Sequence, residues 1–165
     1  MKRKHWGDKG SPGPERERAV VHVEDLMVRQ VITVTRHQSA GHARDLMREH
    51  RVHAIPVVDH GTHDGEPIGV ISATDLIDDV KDESLIGQVM TDHVYTVSPY
   101  AAPHIAARMM RKHHIHHLVV THEQRVVGML SSFDLLRLVE DKRFTMKNLP
   151  SAPKKKTWER RKGEE

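Results

Sequence analysis

The 165-residue chain has no cysteine. That excludes a disulfide framework, cysteine-ligated zinc and any thiol nucleophile. It has no run of about 18 apolar residues and no apolar N-terminal segment ending at a small-residue cleavage site, so neither a membrane span nor a secretory signal is expected. A cytoplasmic location follows as the expectation. There is no P-loop, no dinucleotide G-x-G-x-x-G, and no Ser-His-Asp set that stands out among 15 histidines. The expectation is a protein that is not an enzyme.

Charge is present but unevenly placed. The formal net charge is +3 with a pI near 9.3, yet the excess lysine and arginine lies in residues 1–18 and 144–165 while the middle is slightly acidic. Both ends combine charge, Gly and Pro with almost no apolar pattern, so they read as disordered basic extensions. A minor reading lets Lys154, Lys155, Lys156, Arg160, Arg161 and Lys162 around Trp158 contact nucleic acid or an anionic surface. Protonation of the histidines in the middle part would reverse its charge, which suggests a pH response.

What the chain does have is an internal repeat. Sliding it by 63 lays Val23–Asp59 over Ile86–His122 without a gap, and 10 of these 37 positions are identical, among them Met27/Met90, Thr33/Thr96, His50/His113 and His53/His116. Past a longer connection in the first copy the offset falls to 59, and "GVISATDL" (69–76) meets "GMLSSFDL" (128–135). This is a duplication. The copies are expected over 19–83 and 84–143.

Each copy reads as an α/β unit. A short helical turn ends at Met27 or Met90, and an extended "VITV" or "VYTV" follows. In copy one Ser39 is the expected N-cap of a helix with Ala40, Ala43, Leu46, Met47 and His50 on one face. In copy two Pro103 suits the first helical position, with Ile105, Ala106, Met109, Met110 and His113 as the stripe. Then come a buried-type strand ("AIPVVD", "HLVVTH"), a second strand ("PIGVIS", "RVVGMLS") and a closing helix ("ATDLIDDV", "SFDLLRLVE"). About 60 residues cover one apolar sheet face poorly, so the two copies are expected to pack sheet to sheet about a pseudo-twofold axis.

At the strand ends, Ser72-x-x-Asp75 and Ser131-x-x-Asp134 turn into helices. The serine suits an N-cap, whose amides favour an anion, and the aspartate can accept two hydrogen bonds from a vicinal diol such as a ribose. The same pattern also forms a capping box with no ligand at all. A matched pair in equivalent copies favours the ligand. "HHIHH" (113–117) with His122 invites a metal reading, but His116 and His117 alternate in an extended segment, and no metal site is expected. The acids of "DLIDDVKDE" (75–83) read as a solvated helix face.

"VITV", "LMREHRVHAIPVVD" and "IGVISATDLI", followed by a second version of all three, resemble a tandem pair of cystathionine beta-synthase (CBS) domains, a Bateman module, over about residues 21–140. The resemblance implies two β-α-β-β-α repeats, usually in a disc-shaped homodimer of a stand-alone CBS protein. It also implies an adenosine-ligand sensor for AMP, ADP, ATP or S-adenosylmethionine, with no obligatory cofactor and Mg carried only on a nucleotide phosphate, that regulates an unidentified partner protein. By the same resemblance Asp75 and Asp134 hold ribose hydroxyls, Ser72 and Ser131 contact ribose or phosphate, and Thr74 adds a hydroxyl where copy two has Phe133. Ala54, Ile55 and Pro56, with His117, Leu118 and Val119 in copy two, pack on adenine. Thr33 and Thr96, next to Ile32 and Tyr95, line the base, while His53, His116 and His117 meet phosphates. No arginine stands at those last positions, which favours a monophosphate or an uncharged adenosyl compound over a triphosphate. The alternative is a ligand-free scaffold that binds protein or nucleic acid through its disc surface and basic tails.

Overall fold

Ser39 starts the first long helix as its spacing implied: its extended backbone ends the preceding loop and its Oγ accepts from the His42 amide at 3.2 Å. Pro103 does the same work differently, its missing N–H costing nothing at the first helical position. The computed structural model describes residues 20–59, 65–77 and 79–140. The two basic extensions lie outside the described residues.

The first half runs from a 3-10 turn (Val23–Asp25) through β1 (Val34–Thr35), α1 (Ala40–His50), β2 (Ala54–Val58) and β3 (Pro67–Ser72) to a 3-10 turn (Thr74–Leu76). The second runs through α2 (Ile86–Val89), β4 (Thr96–Val97), α3 (Pro103–His113), β5 (His117–His122), β6 (Arg125–Ser131) and α4 (Ser132–Glu140). Each half makes a three-stranded sheet with the long inner strand in the middle, parallel to the short strand and antiparallel to its hairpin partner. The mixed α/β repeat read from the sequence is therefore the fold.

Three apolar layers hold it. Val58, Val119 and Val126, flanked by Val31, Val70, Val94 and Met129, pack the two sheets against each other. The other two layers lie under α1 and α3, and each includes a segment from the other half. Val23, Leu26 and Met27 complete the core of Val97, Ala106, Met110, Leu118 and Leu130. Conversely, Ile86, with Val89 and Met90 beside it, completes the core of Val34, Ala43, Met47, Ile55 and Ile71. Backbone bonds fix this exchange, with Val28 paired to Met129 and Val70 paired to Thr91 at 2.9–3.0 Å.

Three details depart from the sequence reading. In copy one the closing helix is a single 3-10 turn among the described residues. The Arg44 side chain explains it, because the guanidinium donates to the carbonyls of Leu76 and Val80 and pairs with Asp82, satisfying groups that a longer helix would have satisfied internally. His50 and Ile105, placed on buried stripes, are exposed. Ala40, Ala43 and Met47, and Pro103, Ala106 and Met110, fill the space under each helix without them.

Candidate functional site

Where β6 ends, Ser131 turns the chain into α4. The Asp134 carboxylate accepts from the Ser131 amide at 2.8 Å and from its hydroxyl at 2.6 Å, both at Oδ2, and the Asp134 amide donates back to Ser131 Oγ at 3.2 Å. Copy one repeats the bonds to the carboxylate, from Ser72 N–H at 2.8 Å and Ser72 Oγ at 2.7 Å to Asp75 Oδ2. The second motif is thus a full capping box, while the first makes only the half of it that runs to the carboxylate. The box still leaves Oδ1 of each aspartate without a protein hydrogen bond among the described residues. A half-buried carboxylate held by one oxygen presents the other, preoriented, to a donor pair.

Asp134 of the second motif lines a cavity of about 510 Å³ at the junction of the halves. The volume suits a small-molecule ligand. Its apolar wall comes from Val28, Val31, Ile32, Val52, Ala54 and Met129. Arg51, His53, His116 and His117 supply its basic groups, and Asp134, Ser131, Ser132 and Gln30 its other polar ones. Phe133 stands at the mouth with 78% of its surface exposed. The swapped segment 28–32 brings the first half's residues there, and the αL residue Arg51 (φ 55°), which caps α1, turns the chain back towards β2.

His117, half-buried at the start of β5 opposite Ser131, is held below the ordinary histidine range. Burial is the main cause, the neighbouring His116 and His53 add to it, and Asp134 opposes it. The neutral imidazole is the resting form at pH 7. Ser132 Oγ lies 3.5 Å from His116 Nδ1, tying that ring to the start of α4.

Of the residues singled out from the sequence, Ala54, His117, Ser131 and Asp134 meet in this cavity, with Ile32, His53, His116 and Phe133 beside them. Ile55 and Pro56 do not line it; they are buried within β2. Thr33 precedes β1, and Thr96 lies exposed on β4. Ser72, Thr74 and Asp75 sit at the end of β3, on the pseudo-equivalent side of the junction. There Tyr95 stands where the described cavity has Ile32, its ring 4.5 Å from that of His93 and 4.1 Å from that of His113. Sequence reasoning missed Arg51. Its signal was hidden because a basic residue at a helix C-terminus has an ordinary explanation in the helix dipole. Among the described residues no group of three or more His, Asp or Glu side chains is arranged to hold a metal ion, and no helix is long and apolar enough to cross a membrane.

The CBS domain family model matches this chain twice, over residues 23–82 and 86–141. The CBS domain-containing protein YhcV of Bacillus subtilis is 30% identical over 114 residues, which are 68% of this chain and 81% of that protein. An inosine-5'-monophosphate dehydrogenase of Korarchaeum cryptofilum is 29% identical over 119 residues, 72% of this chain, and the chain spans only 24% of that enzyme. Among solved structures, the CBS domain pair of protein MJ0100, in complex with 5'-methylthioadenosine and S-adenosyl-L-methionine, superposes with a TM-score of 0.66. It is 26% identical, with 72% of this chain and 99% of that one covered. The duplicated sheets, the exchanged turns, the paired S-x-x-D boxes and these matches have one reading: the chain belongs to the CBS domain family, as a tandem pair.

Proposed function

We propose that the chain is a regulatory module that binds an adenosine-containing ligand at the junction of its two repeats and passes its occupancy to a partner protein. The observation that carries this is Asp134, held through Oδ2 alone, in the lining of a cavity that combines apolar residues with Arg51 and three histidines. Asp134 takes the ribose diol, with Ser131 beside it. The wall of Val28, Val31, Ile32, Ala54 and Met129 takes the base, whose flat face suits aliphatic contact more than hydrogen bonding. The adenosyl ligands in the MJ0100 complex support the choice of adenosine. The cavity's one carboxylate is an acceptor within a helix cap, and its role is binding rather than chemistry.

The output surface in this proposal is the outer face of α4. Leu135 and Leu138 pack inward, but Phe133, Leu136 and Val139 point to solvent, more than half of each exposed. A second copy of the chain covers this face, giving a homodimer in which the start of α4 belongs to both the cavity and the interface. Ligand and partner would then act on one helix.

Isothermal titration with AMP, ADP, ATP, S-adenosylmethionine and 5'-methylthioadenosine tests the binding. Saturable binding of at least one, weakened about tenfold or more by Asp134→Ala, is the expected result. Absence of heat with all five at millimolar ligand, with no change in melting temperature, would sink the reading.

A further inference from the structure

The charges around the cavity are lopsided. Its one carboxylate, Asp134, already serves the Ser131 cap, whereas Arg51, His53, His116 and His117 converge on the same space from both halves. Arg51 forms no ion pair among the described residues, unlike Arg29, Arg44 and Arg48, which pair with Glu24, Asp82 and Asp45. A guanidinium is charged at every working pH and matches phosphate oxygens two at a time. The sequence reading favoured a monophosphate or an uncharged adenosyl group because no arginine precedes β2 directly; the αL turn at position 51 brings one to the cavity from two residues further back.

We infer that this cleft selects a 5'-phosphorylated adenosine over sulfonium or neutral adenosyl compounds, and that Arg51 is the residue that selects. A sulfonium ligand carries its positive charge on the 5' side of the ribose, where it would meet the guanidinium; a methylthio group brings no charge to offset the desolvation of that guanidinium. The inference rests on the adenosine reading above and deepens it. It also separates the two sides of the junction. At the position equivalent to Arg51 the second copy has His114, in the same left-handed conformation (φ 54°), so this position supplies a permanent cation on one side of the junction and not on the other.

The test is a titration series on the full chain with AMP, 5'-methylthioadenosine and S-adenosylmethionine against the wild type, Arg51→Gln and Arg51→Lys. AMP is expected to bind the wild type at least about tenfold more tightly than 5'-methylthioadenosine, a margin that Arg51→Gln abolishes and Arg51→Lys partly keeps. Methylthioadenosine affinity should be the same in all three proteins, which also shows that the variants are folded. Preference for S-adenosylmethionine or methylthioadenosine in the wild type, or an AMP margin unmoved by Arg51→Gln, overturns this inference and leaves the adenosine site standing. Binding of none of the three overturns both.

Discussion

Met27 lies on Gly128 so closely that a β-carbon at that glycine would come within 2.4 Å of the methionine sulfur. Met90 covers Gly69 in the same way, at 2.6 Å, with the Thr91 carbonyl 3.0 Å from the same point. The glycine that opens both S-x-x-D segments is therefore a packing requirement, since each accepts a methionine carried in from the other half. Conformational freedom is not the reason, as no glycine among the described residues has positive φ.

Gly69→Ala should lower stability by about 1–3 kcal/mol, the usual cost of overpacking. The Thr91 carbonyl cannot move without breaking its pairing to Val70. At Gly128→Ala the three nearest atoms all belong to the flexible Met27, so that change should cost less. Urea denaturation of both variants, and of Gly128→Ala with Met27→Ala, checks this; in the double variant the alanine should add little to the methionine loss.

The Asp134 carboxylate caps α4 and is proposed to bind ligand, two duties that one experiment can separate. Ser131→Ala removes one acceptor and one donor of the cap and should destabilise α4 by about 1 kcal/mol while leaving Oδ1 free for ligand. Asp134→Ala should remove both cap and binding. Comparing melting temperature with ligand affinity across the two variants tells the duties apart, since equal loss of affinity would tie binding to helix stability alone.

His117 makes stability and affinity respond to acid in opposite senses. Because its folded-state value is lowered, the unfolded chain takes up the proton first. The stability that neutral His117 contributes is present above the unfolded value near 6.5 and drains away as pH falls below it. A phosphate in the cavity favours the imidazolium, so nucleotide affinity should rise over the same interval. Chemical denaturation and AMP titration between about pH 8 and 5.5 check both trends, and His117→Asn should flatten each.

Leu136 is the residue with which to test the dimer. A glutamate there adds a charge to an apolar face that is more than half exposed among the described residues, so Leu136→Glu should leave the fold intact and shift sedimentation from the proposed dimer to monomer. An unchanged sedimentation coefficient would mean that this face is not a dimer interface.

Much of this was legible in sequence. Pro67–Ser72 and Arg125–Ser131 form strands over the segments read as such, because alternation and flanking turns mark a hairpin strand well. The boxes were legible too, since their bonds span only three residues. The exchange of turns was not. An offset of 63 assigns Met27 to copy one, and nothing in a one-dimensional repeat tells which copy's core a connecting segment enters. Ile55 and Pro56 were misleading for a related reason. All five residues of β2 are buried, so periodicity cannot mark which face meets the cavity and which the core. The shortened turn after Asp75 depended on Arg44, 32 residues before the Leu76 carbonyl it binds.

The exchanged turns also bear on ancestry. A single repeat of this kind, made as a separate chain, would leave its methionine-bearing turn without a sheet and its sheet without a turn, and a second identical chain would supply both. Gene duplication and fusion of such a swapped pair yields this topology without any new contact having to arise. Once the copies share one chain they are free to diverge, as the arginine at 51 and the histidine at 114 have done. A symmetric ancestor with two identical sides thereby becomes a descendant whose two sides differ in their basic residues.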